Sequence, residues 1–436
     1  RAEGMSQMPF QHDIRCVTLP GYVDGLVGLH SRFGSLRMSD LLAPAQRLAS
    51  AGFPGSAGLA EATGWIHEQD REAAFGTGAV LRPGQRIALP GIARALEAIA
   101  LGGRAAFYEG AVGAEILAMG AGEFAEDDLR VSQANWAEPL GLGAFGRTLW
   151  TVPPNSQGYL ALSGAWIAEH AGIRDDPRDD SWAPVLVESA RQAAFDRPAV
   201  LHEAADGLGL ISPERLQPRA VAVRDSSSGE LADVYQGGGT THICAVDGSR
   251  AGVSLIMSNA ADFGSHLVLP AHGIFLHNRG IGFSLEPGHP AEYKPGRRPP
   301  HTLSPLVVTD PSGDLDTVLG SMGGDAQPQI LLQLLARLFA AGQDPGEAIA
   351  APRWALSREP TNSFDVWNSA EPLVVRVEGD APQGWTRELR TRGYQVIGEQ
   401  PGDLVFGHAQ VIQVTDDGLL AGAADPRSGD GAFTGY

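Results

Sequence analysis

At Thr240 the chain changes its hydrophobic period. Ahead of it, apolar residues recur at helical spacing: Leu41, Leu42, Ala45, Leu48 and Ala49 between Ser39 and Gly52; Ile92, Leu96, Ile99 and Ala100 between Gly91 and Gly103; Val185, Ala190 and Ala193 between Pro184 and Arg197. Ser39 reads as an N-cap and Gly52 as a stop, with Pro44 tolerable only if the helix proper begins close to it. From Thr240 onward THICAVD, GVSLIMS and SPLVVTD are short, rich in β-branched residues and bounded by Gly, Asp or Pro, as strands are. QPQILLQLLARLFAAG then returns to a long helix. Strands with helices on both sides of them predict an α/β layered sheet covered by helices.

The junction itself is polar and glycine-rich, RDSSSGELADVYQGGG, and runs straight into Thr240 and Thr241. Composition alone reads it as a linker between two domains. The residue that follows supports a second reading. A threonine hydroxyl is a poor nucleophile without a base beside it, and the α-amine of the same residue is such a base once the preceding peptide bond is cut. Glycines ahead of the threonine allow the φ-positive backbone that attack on its own preceding carbonyl needs. Gly239–Thr240 is therefore a candidate processing site in a self-activating hydrolase.

Bulk properties narrow the partners. With 32 basic and 51 acidic side chains the formal charge is −19, which repels nucleic acid and anionic membranes. Cys16 and Cys244 stand far apart without metal-ligand spacing, so neither a disulfide framework nor a zinc site is expected, and no metal or cofactor is called for. No apolar run reaches the length of a membrane span, and the first residues carry no signal-peptide pattern. These point to a cytoplasmic protein, with a periplasmic or secreted one left open because the chain begins at Arg1.

GGGTTHICAVD resembles the processing site of γ-glutamyltranspeptidases, whose small subunit opens on a Thr-Thr-His run. VTLPGYVDGLVGLHSRFGSL, LRPGQRIALPGIARALEAIALGGRAAFYEG, TVPPNSQG and LVESARQAAFDR resemble large-subunit stretches in the same order. FGSHLVLPAHGIFLHNRG, RRPPHTLSPLVV, VLGSMGGDAQPQ, EAIAAPRW and ADPRSGDGAFTGY resemble the small subunit. On these motifs the chain is identified as a member of that family of N-terminal-nucleophile hydrolases. The resemblance implies one intertwined four-layer αββα sandwich, with residues 1–239 as the large-subunit portion and 240–436 as the small subunit. It implies a heterodimer of the two self-cleaved pieces, with further assembly left open.

Carried over by residue, the resemblance makes Thr240 the nucleophile and its new amine the base. Ser258 becomes a hydrogen-bond partner of the nucleophile, and Gly323 and Gly324 the backbone donors to an oxyanion. Read without the resemblance, Ser258 is an ordinary strand residue and the glycine pair an ordinary turn before a helix near Gln327. Thr241 and His242 are expected to serve structure, since strand alternation sends one of them away from the site. His242 as a general base is the alternative, in a role the α-amine already fills.

The expected substrate-binding residues are Asn259, Arg279, His301 and Thr302. Where family members that act on γ-glutamyl compounds grip the substrate amine with Gln and Asp, this chain has Arg279 and Gly282, a cation and no acceptor. Where they have two serines for the α-carboxylate, it has His301 and Thr302. The pattern is similar to a divergent branch of oxamate amidohydrolase-like and cephalosporin acylase-like proteins. It implies a small-molecule amide substrate other than glutathione, with hydrolysis and acyl transfer both open. The alternatives are a genuine γ-glutamyltransferase or glutathione hydrolase, and a silent, unprocessed binding homologue.

Overall fold

A computed structural model of the chain describes residues 4–224, 240–358 and 373–435. Gly239 and the glycine-rich stretch ahead of it lie outside the described residues. The chain packs as two compact units, one formed by Arg1–Ser6, Ala137–Asp262 and Gly282–Tyr436, the other by Gln7–Trp136 and Phe263–Ile281. Both units draw on chain from either side of Thr240.

The first unit is built on a six-stranded antiparallel sheet. Its order is Leu420–Ala424, His408–Val414, Leu315–Met322, Leu306–Thr309, Arg147–Thr151 and Leu140–Ala144. The last two strands precede Thr240 and depart from the helical reading of that half. Their signal is weak because Gly141 and Gly143 replace the expected β-branched residues. At Gly141 a Cβ would stand 2.4 Å from the Trp150 ring on the neighbouring strand, so the glycine makes room for the indole.

Successive residues of a strand face opposite ways, and the central strand shows what each face meets. Leu319 joins Leu149, Leu306, Val308 and Val411 in one core with the helices Tyr159–Ala171, Trp182–Ala194, Pro213–Arg224 and Gln327–Leu335. Val318, on the other face, lies under the hairpin of Thr240–Val246 and Gly252–Ser258, where a Cβ at Gly252 would be 2.8 Å from its methyl. Helices, sheet and hairpin are thus stacked as successive layers. A three-stranded sheet, Trp354–Arg358, Leu373–Glu378 and Gln395–Glu399, extends the same core through Trp354, Leu356, Val375 and Val377. Trp182 and Trp385 are wholly buried there with ring centroids 5.3 Å apart; each such aromatic contributes roughly 1.5–3 kcal/mol of burial.

The second unit is mainly helical. Its core gathers Cys16, Ile99, Phe107, Ile116, Leu129, Leu269 and Leu276. The helix expected to start at Ser39 runs over Met38–Ala51, so Ser39 is inside it and Arg37 occupies the cap. Arg37 pairs with Asp40 at 2.9 Å, which leaves a carboxylate in the positive first turn and replaces the expected serine cap. Pro44 consequently sits in the helix interior. The helix Pro90–Tyr108 does break at Gly103, whose φ of +58° ends the first stretch. Among the described residues no helix is long and apolar enough to cross a membrane.

Candidate active site

The hairpin register sets Thr240 opposite Ser258. At that open end the Thr240 hydroxyl donates to Ser258 Oγ at 2.9 Å, and the Ala260 N–H donates to the same oxygen at 2.9 Å. The second bond depends on Ala260 turning back with φ +72°, a left-handed conformation that costs a non-glycine residue about 1–2 kcal/mol. Ala260 is fully buried, so packing holds it there, and half-buried Asn259 is carried between the two.

Alternation along the strand sends Thr241 and Ile243 to solvent and turns Thr240, His242 and Cys244 inward. His242 shares the nucleophile's face without being available to it. Its Nδ1 engages Gln410 Oε1 at 3.0 Å and its Nε2 engages Ser254 Oγ at 2.9 Å. Burial pushes its pKa down to about 4, so the ring is neutral near pH 7. It lies flat against Gly320, where a Cβ would come within 2.3 Å of the imidazole. The closed end of the hairpin lies over Leu315 and Val318, and His242 over Gly320. The strand therefore runs so that Thr240 points toward the Met322–Gly324 end of the central strand.

That strand ends in two glycines with positive φ, +146° at Gly323 and +51° at Gly324. In a trans peptide the C=O and the following N–H point in opposite directions. The Met322 carbonyl accepts from the Ser321 hydroxyl, and the Gly323 carbonyl accepts from the Ala326 N–H at 2.9 Å. Both carbonyls are tied back, so the N–H groups of Gly323 and Gly324 are turned away from those partners. At Gly323 a Cβ would also meet Ile330 at 2.8 Å, which leaves the position to glycine.

Gln157 joins this turn to the other expected binding stretch. Fully buried, it donates through Nε2 to the carbonyls of Gly324 at 3.0 Å and Thr302 at 3.2 Å. The backbone follows, with Gln157 N–H to the His301 carbonyl and His301 N–H to the Asn155 carbonyl, both at 3.0 Å. Thr302 is brought to the turn but is only 3% exposed.

A charged cluster underlies the same end of the strand. Arg353 reaches Asp425 at 2.6 Å and the Phe406 carbonyl at 2.9 Å, while Arg427 pairs with Glu378 and with Asp425 at 3.2 Å. Burial pushes the Asp425 carboxyl up, but Arg353 and Arg427 outweigh it and hold the group below the usual carboxylate range. The cluster fixes Phe406 and Gly407, and Gly407 Cα stands 3.7 Å from where a Cβ of Gly323 would be. Neither Gln157 nor Asp425 stood out in the sequence as a site residue. Their only signal was membership in the TVPPNSQG and ADPRSGDG motifs.

Arg279 belongs to the second unit, half-buried in the turn Arg279–Gly282. Its N–H meets His277 Nδ1 at 3.1 Å, and burial, with the guanidinium charge second, pushes His277 down to about 4. Gly282 belongs to the first unit, and a Cβ there would stand 2.3 Å from the Pro300 carbonyl oxygen. The position where γ-glutamyl-specific relatives keep an aspartate is closed to any side chain by backbone.

The gamma-glutamyltranspeptidase family's sequence model matches residues 2–435. The oxamate amidohydrolase proenzyme of Klebsiella pneumoniae is 34% identical, over 96% of this chain and 80% of its own length. The glutathione hydrolase-like YwrD proenzyme of Bacillus subtilis is 32% identical, over 99% of this chain and 83% of its own. Among solved structures, the cephalosporin acylase from Bacillus halodurans is similar with a TM-score of 0.84 at 28% identity, covering 99% of this chain and 81% of that one. The layered mixed α/β fold is that of an N-terminal-nucleophile hydrolase, and the chain belongs to the gamma-glutamyltranspeptidase family.

Proposed function

We propose that this chain is a self-processing amidohydrolase that cuts itself between Gly239 and Thr240 and then works through an acyl-enzyme on Thr240. The observation that carries the reading is the Thr240–Ser258 hydrogen bond at the open end of the hairpin, aimed toward the Gly323–Gly324 turn. Ser258 orients the threonine oxygen, and the α-amine released by processing takes its proton as Oγ1 attacks the substrate carbonyl. The N–H groups of Gly323 and Gly324 stabilise the resulting oxyanion. Collapse breaks the C–N bond, the amine leaves with the proton held by the α-amine, and water then attacks the ester under the same base. An amine in place of water gives acyl transfer instead. His242, neutral and engaged at both nitrogens, stays a structural residue.

The two fragments would remain together as a heterodimer, because strands from before and after Thr240 are hydrogen-bonded in one sheet. For the substrate, the closed position at Gly282 leaves no room for the acceptor that an α-ammonium group needs. A small amide with a carboxylate or uncharged acyl group meets no such obstacle, and the oxamate amidohydrolase relative acts on a compound of that kind by its name.

Denaturing electrophoresis and N-terminal sequencing test the processing step. Two fragments are expected, the smaller starting Thr-Thr-His-Ile, while Thr240→Ala stays one chain without activity. A different start with activity intact removes Thr240 from the mechanism. Mass spectrometry for an acyl adduct on Thr240 across a panel of amides then identifies the substrate class.

A further inference from the structure

The second unit carries a cluster that the amide chemistry does not use. His12, Asp70 and His266 each place a ligand atom within 4.8 Å of the other two. Three distant stretches converge to make it. Asp70 stands in the first turn of the helix Glu68–Phe75. His12 and His266 are brought together by the bond from the His12 N–H to the Ser265 carbonyl at 2.7 Å. Both histidines are non-glycine residues with positive φ, +55° and +59°.

What distinguishes the cluster from an ordinary buried network is what it leaves open. Asp70 is 8% and His266 6% exposed, and Asp70 Oδ2 and His266 Nδ1 are buried without a hydrogen-bond partner among the described residues. Buried carboxylate and imidazole atoms are normally paired, by protein, water or an ion. The other nitrogen of His266 is occupied, its Nε2 lying 3.0 Å from the Gln11 side-chain amide. As placed, the Gln11 amide nitrogen donates to Nε2 and leaves the ring proton on Nδ1; a flip of that amide, which turns its oxygen to Nε2–H, frees the Nδ1 lone pair and gives the hydrogen bond found behind metal-binding histidines. A fourth imidazole or carboxylate is close by, since the His67 ring lies 5.2 Å from that of His12, on a cleft of about 920 Å³ that His12, His67, Glu68 and Glu72 help line.

We propose that His12, Asp70 and His266 bind one divalent transition-metal ion of the Zn2+ class, with His67 or water completing the shell. Two imidazoles and a carboxylate are a donor set that such ions favour over Ca2+ or Mg2+, which take oxygen ligands. Ligand atoms around tetrahedral zinc stand about 3.3–3.5 Å apart, so side-chain rotations of about an ångström close the present spacing. The ion would tie the segment around His12 to the loop at His266.

The full chain, stripped with a chelator, should bind one equivalent of Zn2+ by calorimetry, and Co2+ in its place should give a tetrahedral visible spectrum. Asp70→Asn should weaken Zn2+ binding by about tenfold or more. His12→Asn should do the same; His12 is exposed and asparagine tolerates the left-handed backbone, so that variant keeps the fold. Zn2+ should raise the melting temperature of the unaltered chain and not of either variant. Absence of stoichiometric binding, or equal binding by the unaltered chain and both folded variants, overturns the site.

Discussion

His242 and His266 are equally buried, at 5% and 6% exposure, and differ in what their nitrogens meet. His242, two residues from the proposed nucleophile, has Gln410 on one nitrogen and Ser254 on the other. His266 has Gln11 on one and nothing among the described residues on the other. A buried imidazole with both nitrogens satisfied is part of the scaffold, even beside a reaction centre. One with an open nitrogen, in a ring grouped with a carboxylate and a second imidazole, is where a ligand is proposed. Proximity to Thr240 would have ranked the two the other way. Around the Thr240 hairpin and the glycine turn the buried side-chain charge is paired, in the Arg353, Glu378, Asp425 and Arg427 cluster and in the Arg197–Asp325 pair at 3.4 Å.

The largest effect that could break this picture is expected at Gly324. Gly324→Pro removes an N–H and cannot adopt φ +51°, so turnover should fall by about 10²–10³, the loss typical for one oxyanion donor. Gly324→Ala keeps the N–H and pays mainly left-handed strain, about 1–2 kcal/mol of stability. If a folded proline variant turns over as fast as the alanine one, the backbone-donor assignment is wrong.

Next comes the pH dependence of stability at His242. Its folded pKa of about 4 lies below the ordinary 6.5, so the unfolded chain binds the proton more tightly. The contribution is fully present above pH 6.5 and is lost as pH falls toward 4, amounting to about 3 kcal/mol. Urea unfolding at pH 7 and pH 4.5 should show a smaller drop for His242→Gln than for the unaltered chain, against the similar background from His277. Equal drops in the two proteins would mean His242 is not held neutral, and would restore it as a candidate base.

The smallest effect is expected at Gly282. Gly282→Asp restores the carboxylate of the γ-glutamyl-specific relatives but sets its Cβ against the Pro300 carbonyl, an overpacking cost of about 1–3 kcal/mol. A lower melting temperature without glutathione hydrolysis is the expected result. A stable variant that gains glutathione hydrolysis would show that the missing carboxylate at Gly282, and not Arg279, His301 or Thr302, was the obstacle.

Both strands of the Thr240 hairpin were legible in advance. THICAVD and GVSLIMS carry strand character in their β-branched residues, while their pairing as a hairpin, with Thr240 set against Ser258, came from the folded chain. Thr241 turning to solvent follows from the same alternation. The strands Leu140–Ala144 and Arg147–Thr151 were not legible. Glycine suits the first because Trp150 covers it from the next strand, and that pairing is stabilised by Leu306–Thr309, far away in sequence. Gln157 is another residue that local pattern cannot rank, since its two acceptors, the carbonyls of Thr302 and Gly324, come together only in the folded chain.

The sequence by itself determined the family, the strand on which Thr240 sits and the glycines at 323 and 324, because these reside in contiguous residue types and short periods. Tertiary structure alone decided which histidine is spent and which is open, that Gly282 has no room for an acceptor, and that His12, Asp70 and His266 meet. Each of those depends on how buried polar groups from separate stretches of chain find, or fail to find, a partner, and hydrogen-bond satisfaction is a property of the packed interior that no local pattern encodes.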